Sequence, residues 1–274
     1  GHLPLPPPVV AVLRLDGVIA TRGGLRGKSL SMAGLAEPIE RAFRLKDLAA
    51  VALVINSPGG SPVQSALIER RIRQLAGEKN IPVLAFAEDV AASGGYWLAL
   101  AADKIYAQDA SIVGSIGVVS AGFGFTDLIR RFGIERRVHT AGTSKAMLDP
   151  FRAEDPEDVE RLKALQLDIH DGFKDLVRAR RGARLKEDDQ IFTGAIFTGR
   201  QALARGLIDG IGDLRQVLRE RFGTRVRLRP VAERAPRRFG LRRLGFASRL
   251  DPIELVADGL NALEERAIWA RFGL

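Results

Sequence analysis

The chain has 274 residues, of which 46% are apolar and 27% are charged. This balance excludes a disordered chain, because such chains lack the apolar surface that offsets the entropy lost on folding. The chain has no cysteine, which excludes disulfides, thiolate metal sites and cysteine nucleophiles together. Its longest apolar run, residues 48–55, is far shorter than the roughly 20 residues that a membrane-spanning helix needs.

The net charge of +9 is concentrated in one segment. Residues 219–250 contain eleven Arg and two Glu, whereas the rest of the chain is formally neutral. Such a segment can attract nucleic acid, anionic lipid or an acidic partner, and it can equally be a solvated face in an arginine-rich proteome. Charge alone therefore does not define the function.

In the first half of the chain, apolar runs typical of strands alternate with segments of helical periodicity. Helices are expected at residues 35–45, after Ser61 and at residues 94–102. Strands are expected at residues 9–15, 51–55, 82–87, 105–107 and 116–119. This alternation predicts an α/β fold with a largely parallel sheet and helices outside it.

The second half of the chain begins with a long helix, expected at residues 155–181. It carries one apolar stripe, which normally covers a core or a partner, formed by Val159, Leu162, Leu165, Ile169 and Phe173. Further helices are expected at residues 198–207 and 214–222. Residues 225–231 alternate like an edge strand, and residues 252–272 predict a terminal amphipathic helix.

Two glycine-rich turns follow predicted strands, at residues 56–60 and 91–95. Backbone amides in such turns can stabilise an anion or a developing oxyanion. Ser93 lies between strand and helix, as in a nucleophile elbow, although the run is Ala-x-Ser-x-Gly rather than Gly-x-Ser-x-Gly. Ser93 is therefore a candidate nucleophile, and a helix N-cap is the alternative.

A serine nucleophile needs a base. His139 ends a strand-like run and is a candidate, whereas His170 faces away from the stripe of its helix, which favours an exposed surface histidine. Lys145 lies in an otherwise uncharged stretch, while Lys104 follows Asp103, which would favour the charged amine. A lysine base requires a dry or cation-rich site that lowers its pKa by about three units. From the residues alone, it stays open whether one of these side chains is the base or whether all of them are ordinary surface residues.

Four motifs occur in order between residues 9 and 231. They are Asn-Ser-Pro-Gly-Gly at 56–60, Ala-Ala-Ser-Gly-Gly-Tyr at 91–96, Gly-Ser-Ile-Gly-Val at 114–118, and Thr-Gly-Arg at 198–200 followed by Gly-Leu-Ile-Asp at 206–209. Together they resemble the signal peptide peptidase A family of serine proteases, in its short single-domain form. That family shares its fold with the Clp protease subunit and the crotonases, so the resemblance implies a ClpP/crotonase-like superhelical spiral of β-α units.

The resemblance also implies roles for particular residues. Ser93 matches the nucleophile and Lys145 the general base. Gly60 and Gly94 match the positions whose amides form the oxyanion hole, and Ser115 matches a hydroxyl that holds the lysine amine. No metal or other cofactor is expected.

The function implied by the resemblance is that of a serine endopeptidase. Its substrates would be signal peptide remnants and other short hydrophobic or unfolded peptides, cleaved through an acyl-enzyme. The family forms rings or domes in which a neighbouring subunit can supply the lysine, so a homo-oligomer is expected. The expected location is the cytoplasm or the periphery of a bacterial inner membrane, because the family's usual membrane anchor is not visible in this chain.

Three segments are expected along the chain. Residues 1–8 are interpreted as a tag remnant and extended lead-in, residues 9–231 as the peptidase domain, and residues 232–274 as an Arg-rich segment and helix that provide an assembly or membrane surface. Peripheral contact with an anionic membrane is expected there, and a nucleic-acid partner is not.

Two alternatives to the peptidase remain. A crotonase-like acyl-CoA enzyme also uses two amides as an oxyanion hole, but it needs neither Ser93 nor Lys145. A catalytically inactive scaffold would instead bind membrane or nucleic acid through residues 219–249.

Overall fold

The computed structural model describes residues 6–21, 29–186, 188–232, 262–263 and 265–274. Its strands are β1 (Val9–Asp16), β2 (Leu48–Ser57), β3 (Val83–Ala92), β4 (Lys104–Ala107), β5 (Ile112–Gly114), β6 (Ile196–Thr198), β7 (Gly210–Ile211) and β8 (Arg227–Pro230). Its helices are α1 (Met32–Ala42), α2 (Pro62–Lys79), α3 (Gly94–Ala99), α4 (Thr126–Arg131), α5 (Pro156–Arg181), α6 (Gly199–Ala204) and α7 (Leu214–Phe222).

The strands form one sheet in the order β6-β5-β3-β2-β1-β8, with β4 and β7 off this path. Every pair is parallel except β5 with β6, which is antiparallel. The predicted, largely parallel sheet is thus confirmed. Strand β3 pairs with β4 through residues 84–87 and with β5 through residues 90–92, so the sheet branches along β3. Because β2 and β3 are parallel neighbours, the turns that follow them lie side by side.

The core lies against both faces of the central strands, since their apolar runs are buried on both sides. The larger apolar cluster joins the sheet to α1, α2 and α3, with Ile39, Ile68, Ile72 and Tyr96 fully buried. A smaller cluster on the other face packs Val217 and Leu218 of α7 against β1, β2 and β3. The turns that follow β2 and β3 are therefore anchored to strands that are packed on both faces.

Two sequence predictions of strands have different outcomes. The edge strand expected at residues 225–231 is β8, which pairs with β1 at the end of the sheet. The strand expected at residues 116–119 was wrong, because these residues belong to none of the described strands. Gly114 and Ser115 have φ of 106° and 51°, and these left-handed values break the extended backbone just before this segment.

The apolar stripe predicted for α5 is only partly covered by the described residues. Phe173 and Val177 are buried, but Leu165 and Ile169 are exposed. Val159 and Leu162 are half-buried, so it is the middle of α5 that leaves apolar side chains uncovered by the described residues, whereas its C-terminal part packs on the core.

The C-terminal segment is described only in part. Residues 265–270 are helical, within the terminal helix expected at residues 252–272. Residues 1–5 and 233–261 lie outside the described residues, and the second of these ranges includes residues 233–250 of the Arg-rich segment. No helix of the described residues is long and apolar enough to cross a membrane.

Candidate active site

Ser93 occupies the turn from β3 into α3. Its φ of 52° and ψ of −122° lie where residues with a side chain are rarely found, a conformation that costs about 1–3 kcal/mol. The side chain makes no capping hydrogen bond to α3, so the N-cap interpretation does not account for this serine. A strained turn that exposes an uncommitted hydroxyl between strand and helix is the geometry of a nucleophile elbow.

The turn after β2 packs directly against this elbow. A Cβ atom added to Gly59 would lie 2.7 Å from both the Gly94 nitrogen and the Ser93 Cβ, so no side chain fits between the two turns. The Ser57 hydroxyl holds the turn by donating to the Gly17 carbonyl at 2.7 Å and accepting from the Gly59 amide at 3.2 Å.

Two backbone amides at this junction are available as donors. Gly94 is the first residue of α3, and the N–H of such a residue has no acceptor within its helix. The Gly60 amide makes none of the hydrogen bonds of its turn, which run from Ile19 to Gly59 and from Ser61 to Ile19. Such preorganised N–H groups can stabilise an oxyanion without reorganisation during the reaction.

A cavity of about 820 Å³ opens beside Ser93. It brings together three residues singled out from the sequence, Gly60, Ser93 and Ser115, and Gly94 directly follows Ser93. The remaining described lining consists of Pro58, Pro62, Gly117, Val118, Val119, Ala121, Gly122, Phe123, His170, Thr193, Gly194, Ala267, Ile268, Arg271 and Phe272. None of these side chains is acidic, so the cavity suits apolar, neutral or anionic groups.

Lys145 is not part of the described lining of this cavity. It lies exposed in the arm, which we define as residues 117–155. The arm is held together by its own contacts, with the rings of Phe125 and Phe151 5.6 Å apart and Arg136 paired with Asp149 at 2.9 Å. The single chain therefore does not bring Lys145 to Ser93.

His170 does line the cavity, so its interpretation as an exposed surface histidine was wrong. It is half-buried, and its Nε2 lies 3.0 Å from the carbonyl oxygen of Ile116. The physical reason is the orientation of α5. His170 lies three residues before buried Phe173, on the same face of α5, and this face is turned toward the protein.

The other candidate bases lie elsewhere. His139 is exposed on the arm and does not line the cavity. Lys104 pairs with Asp209 at 3.4 Å.

A buried ion pair supports the helix that carries the elbow. The Tyr96 hydroxyl of α3 donates to the Leu207 carbonyl at 2.7 Å, and burial raises the pKa of Tyr96. Two residues later, Asp209 accepts from Arg181 at 2.8 Å, and both side chains are at least 95% buried. Burial alone would raise the pKa of Asp209, but hydrogen bonds from Arg181 and the Ile105 amide, with the charges of Arg181 and Arg184, lower it to about 2.

Comparison with known proteins identifies relatives over most of the chain. The model of peptidase family S49 matches residues 76–222. Serine protease SPPA, chloroplastic, of Arabidopsis thaliana is 33% identical over 213 residues, which cover 76% of this chain and 31% of that protein. The putative signal peptide peptidase SppA of Enterococcus faecium is 27% identical over 206 residues, which cover 74% of this chain and 60% of that protein.

A longer relative carries a different name. A protein of Brucella abortus named Na(+)/H(+) antiporter NhaA is 51% identical over 274 residues, which cover 97% of this chain but 37% of that protein. The chain thus spans between 31% and 60% of the length of these three relatives.

The solved structures that resemble this chain include two of the 1510-N membrane-bound stomatin-specific protease. They superpose with TM-scores of 0.50 and 0.52 at 16% identity, and cover 83% and 93% of this chain. The second of them is a complex with a substrate peptide. This likeness agrees with the observed architecture and confirms the predicted α/β fold class with a largely parallel sheet.

The match to the family model is the decisive comparison, because it extends over more than half of the chain and its region includes Ser93, Ser115 and Lys145. The chain belongs to peptidase family S49.

Proposed function

We propose that the chain is a serine endopeptidase in which Ser93 is the nucleophile and Lys145 the general base. The proposal rests on the position of Ser93, which lies on the wall of a cavity next to the amides of Gly60 and Gly94. Its backbone is strained, and its side chain makes no capping hydrogen bond to α3. The names of the relatives from Arabidopsis thaliana and Enterococcus faecium agree with a serine peptidase.

The proposed reaction needs no group beyond the protein and water. Neutral Lys145 accepts the proton of the Ser93 hydroxyl as the oxygen attacks a peptide carbonyl. The Gly60 and Gly94 amides donate to the resulting oxyanion. Lys145 then passes the proton to the leaving amine, so that an acyl-enzyme and a free amine form, and it activates the water that hydrolyses the ester.

An extended peptide with apolar side chains is the proposed substrate. Gly117, Val118 and Val119 line the cavity, and within the described chain their backbone groups make no hydrogen bond to other backbone groups. An extended peptide can pair with such a free edge while its side chains enter apolar pockets. Signal peptide remnants and other hydrophobic or unfolded segments have this chemistry.

We further propose that Lys145 acts on the serine of a neighbouring subunit. In the single chain Lys145 lies outside the cavity lining, and the dyad requires hydrogen-bond reach between the two side chains. Outside the cavity lining, the arm also exposes large apolar side chains, which are typical of an interaction surface: Leu128, Phe132, Ile134 and Val138. A homo-oligomer would cover them.

A serine-directed fluorophosphonate probe tests the proposed activity. The proposal expects covalent labelling of the wild-type protein at Ser93, and none in Ser93→Ala. A crotonase-like acyl-CoA enzyme or an inactive scaffold would leave Ser93 unlabelled. Cleavage of an unfolded apolar peptide, measured on the same preparations, then distinguishes a peptidase from a serine that is merely reactive.

A further inference from the structure

The hydrogen bond between His170 and Ile116 connects two elements that lie far apart in sequence. A carbonyl oxygen only accepts hydrogen bonds, so Nε2 of His170 must carry the proton that it donates. His170 also lines the cavity that contains Ser93, although the proposed reaction gives it no part.

Ile116 stands at the start of the free edge described above. Its side chain is fully buried, while Gly117, Val118 and Val119 follow it along the cavity. Within the described chain, the His170 contact is the one hydrogen bond that anchors the backbone of residues 116–119. The position of this edge therefore depends on that contact and on the packing of the Ile116 side chain.

Helix α5 gives this contact a rigid base. Phe173, which shares a face of α5 with His170, stacks on Trp97 with ring centroids 4.5 Å apart. Trp97 belongs to α3, the helix that begins directly after Ser93. His170 thus connects the cavity edge to the helix that carries the elbow.

We propose that His170 is a positioning residue, whose Nε2–H holds residues 116–119 where an extended peptide can pair beside Ser93. This inference rests on the proposed peptidase function. His170 contacts neither the scissile carbonyl nor the Ser93 hydroxyl in this role, so it acts through the backbone of the edge. Its loss should weaken the binding of long peptides and leave the reactivity of the serine intact.

Two variants separate the N–H group from the bulk of the side chain. His170→Gln retains a donor near the position of Nε2, whereas His170→Met has a similar length and no donor. Asp168→Asn, at an exposed position of the same helix, serves as the control.

For a peptide long enough to lie along the edge, His170→Met should raise KM about five- to tenfold with little change in kcat. This is expected because the lost hydrogen bond stabilises the bound substrate and the transition state equally. His170→Gln and Asp168→Asn should keep KM within about twofold of wild type, and all of these proteins should react with the fluorophosphonate probe at similar rates. Thermal unfolding of each variant checks that the fold is retained.

The outcomes are distinguishable. If the wild-type enzyme is active and the KM values of His170→Met and His170→Gln are equal, the positioning role is overturned, whether both values are raised or both match wild type. The proposed peptidase function is not affected by that result. A slower reaction of His170→Met with the probe also overturns it, because the residue would then affect the chemistry of the serine. A wild-type protein that neither reacts with the probe nor cleaves peptide overturns the proposed function, and this inference with it.

Discussion

The backbone amide of Ser93 donates to the carbonyl oxygen of Gly114 at 2.8 Å. This bond holds the strained turn after β3 against the end of β5, where Ser115 follows with its own positive φ. The Ser115 amide in turn donates to the Ala195 carbonyl at 2.8 Å, so backbone hydrogen bonds hold both of the serines that line the cavity.

Replacing Ser93 should separate activity from stability. Ser93→Ala and Ser93→Gly should both lose peptide hydrolysis and probe labelling, because neither has a hydroxyl. Ser93→Gly should be the more stable of the two by about 1 kcal/mol, since glycine adopts the positive φ with less strain. Urea unfolding of both variants measures the difference, and residual hydrolysis in purified Ser93→Ala would contradict the nucleophile assignment.

A mixing experiment tests the shared dyad. Ser93→Ala and Lys145→Ala should each be inactive alone. After unfolding and refolding as a mixture, random assembly should restore about a quarter of wild-type activity, because some sites then combine an intact serine with an intact lysine from the next subunit. Hydrolysis rates of the mixture and of each variant alone provide the measurement.

Mixtures with no activity would instead indicate a dyad within one chain, provided that the refolded variants assemble as the wild-type protein does. His139→Ala is the matching control for the base. Because His139 lies outside the cavity, this variant should hydrolyse peptides at the wild-type rate, whereas a histidine base would make it inactive.

The Asp209 pair should make the folded state sensitive to acid. The pKa of the Asp209 carboxyl is about 2 in the folded protein, against an ordinary value of 3.8. The ionised carboxylate therefore contributes about 2 kcal/mol to the free energy of unfolding, a contribution that is complete well above pH 4 and is lost as the pH falls towards 2. Asp209→Asn should destabilise the protein by about 3 kcal/mol at neutral pH, because buried Arg181 loses its charged partner. The difference from wild type should shrink on acidification.

Urea unfolding at a series of pH values measures this dependence. Asp109→Asn is the control, since the pair of Asp109 with Arg200 is exposed and contributes little. An equal loss of stability in Asp209→Asn at pH 6 and at pH 2 would show that the carboxylate charge is not what stabilises this region.

The Arg-rich segment leads to a prediction from sequence alone. Between residues 237 and 246 four arginines are interleaved with the apolar residues Phe239, Leu241, Leu244 and Phe246. Such a pattern favours peripheral binding to anionic membranes. The full chain should therefore sediment with anionic vesicles but not with neutral ones, and less so as salt is added.

A variant with glutamine at all four arginines should remain in the supernatant. The four substitutions are Arg237→Gln, Arg238→Gln, Arg242→Gln and Arg243→Gln. Equal recovery of the wild-type protein in the supernatant with both vesicle types would favour a segment that packs on a neighbouring subunit.

Five strands of the sheet, β1, β2, β3, β4 and β8, could be predicted from sequence because their signals are local, whereas the two- and three-residue strands β5, β6 and β7 were missed. Apolar runs ended by turn residues predicted β1, β2 and β3, and the boundaries of α7 agree with the predicted residues 214–222. The strand predicted at residues 116–119 failed because an apolar pattern does not reveal the left-handed backbone of Gly114 and Ser115.

By itself, the sequence determined the α/β class, the two glycine-rich turns and Ser93 as a candidate nucleophile, since turn chemistry and strand periodicity are properties of neighbouring residues. Tertiary structure decided which side of α5 faces the core, and so brought His170 to the cavity while leaving Leu165 and Ile169 exposed. It also decided that Lys145 lies on an exposed arm, outside the cavity of its own chain. Such outcomes depend on contacts between residues 50 or more positions apart, as between His170 and Ile116, and no local pattern encodes them.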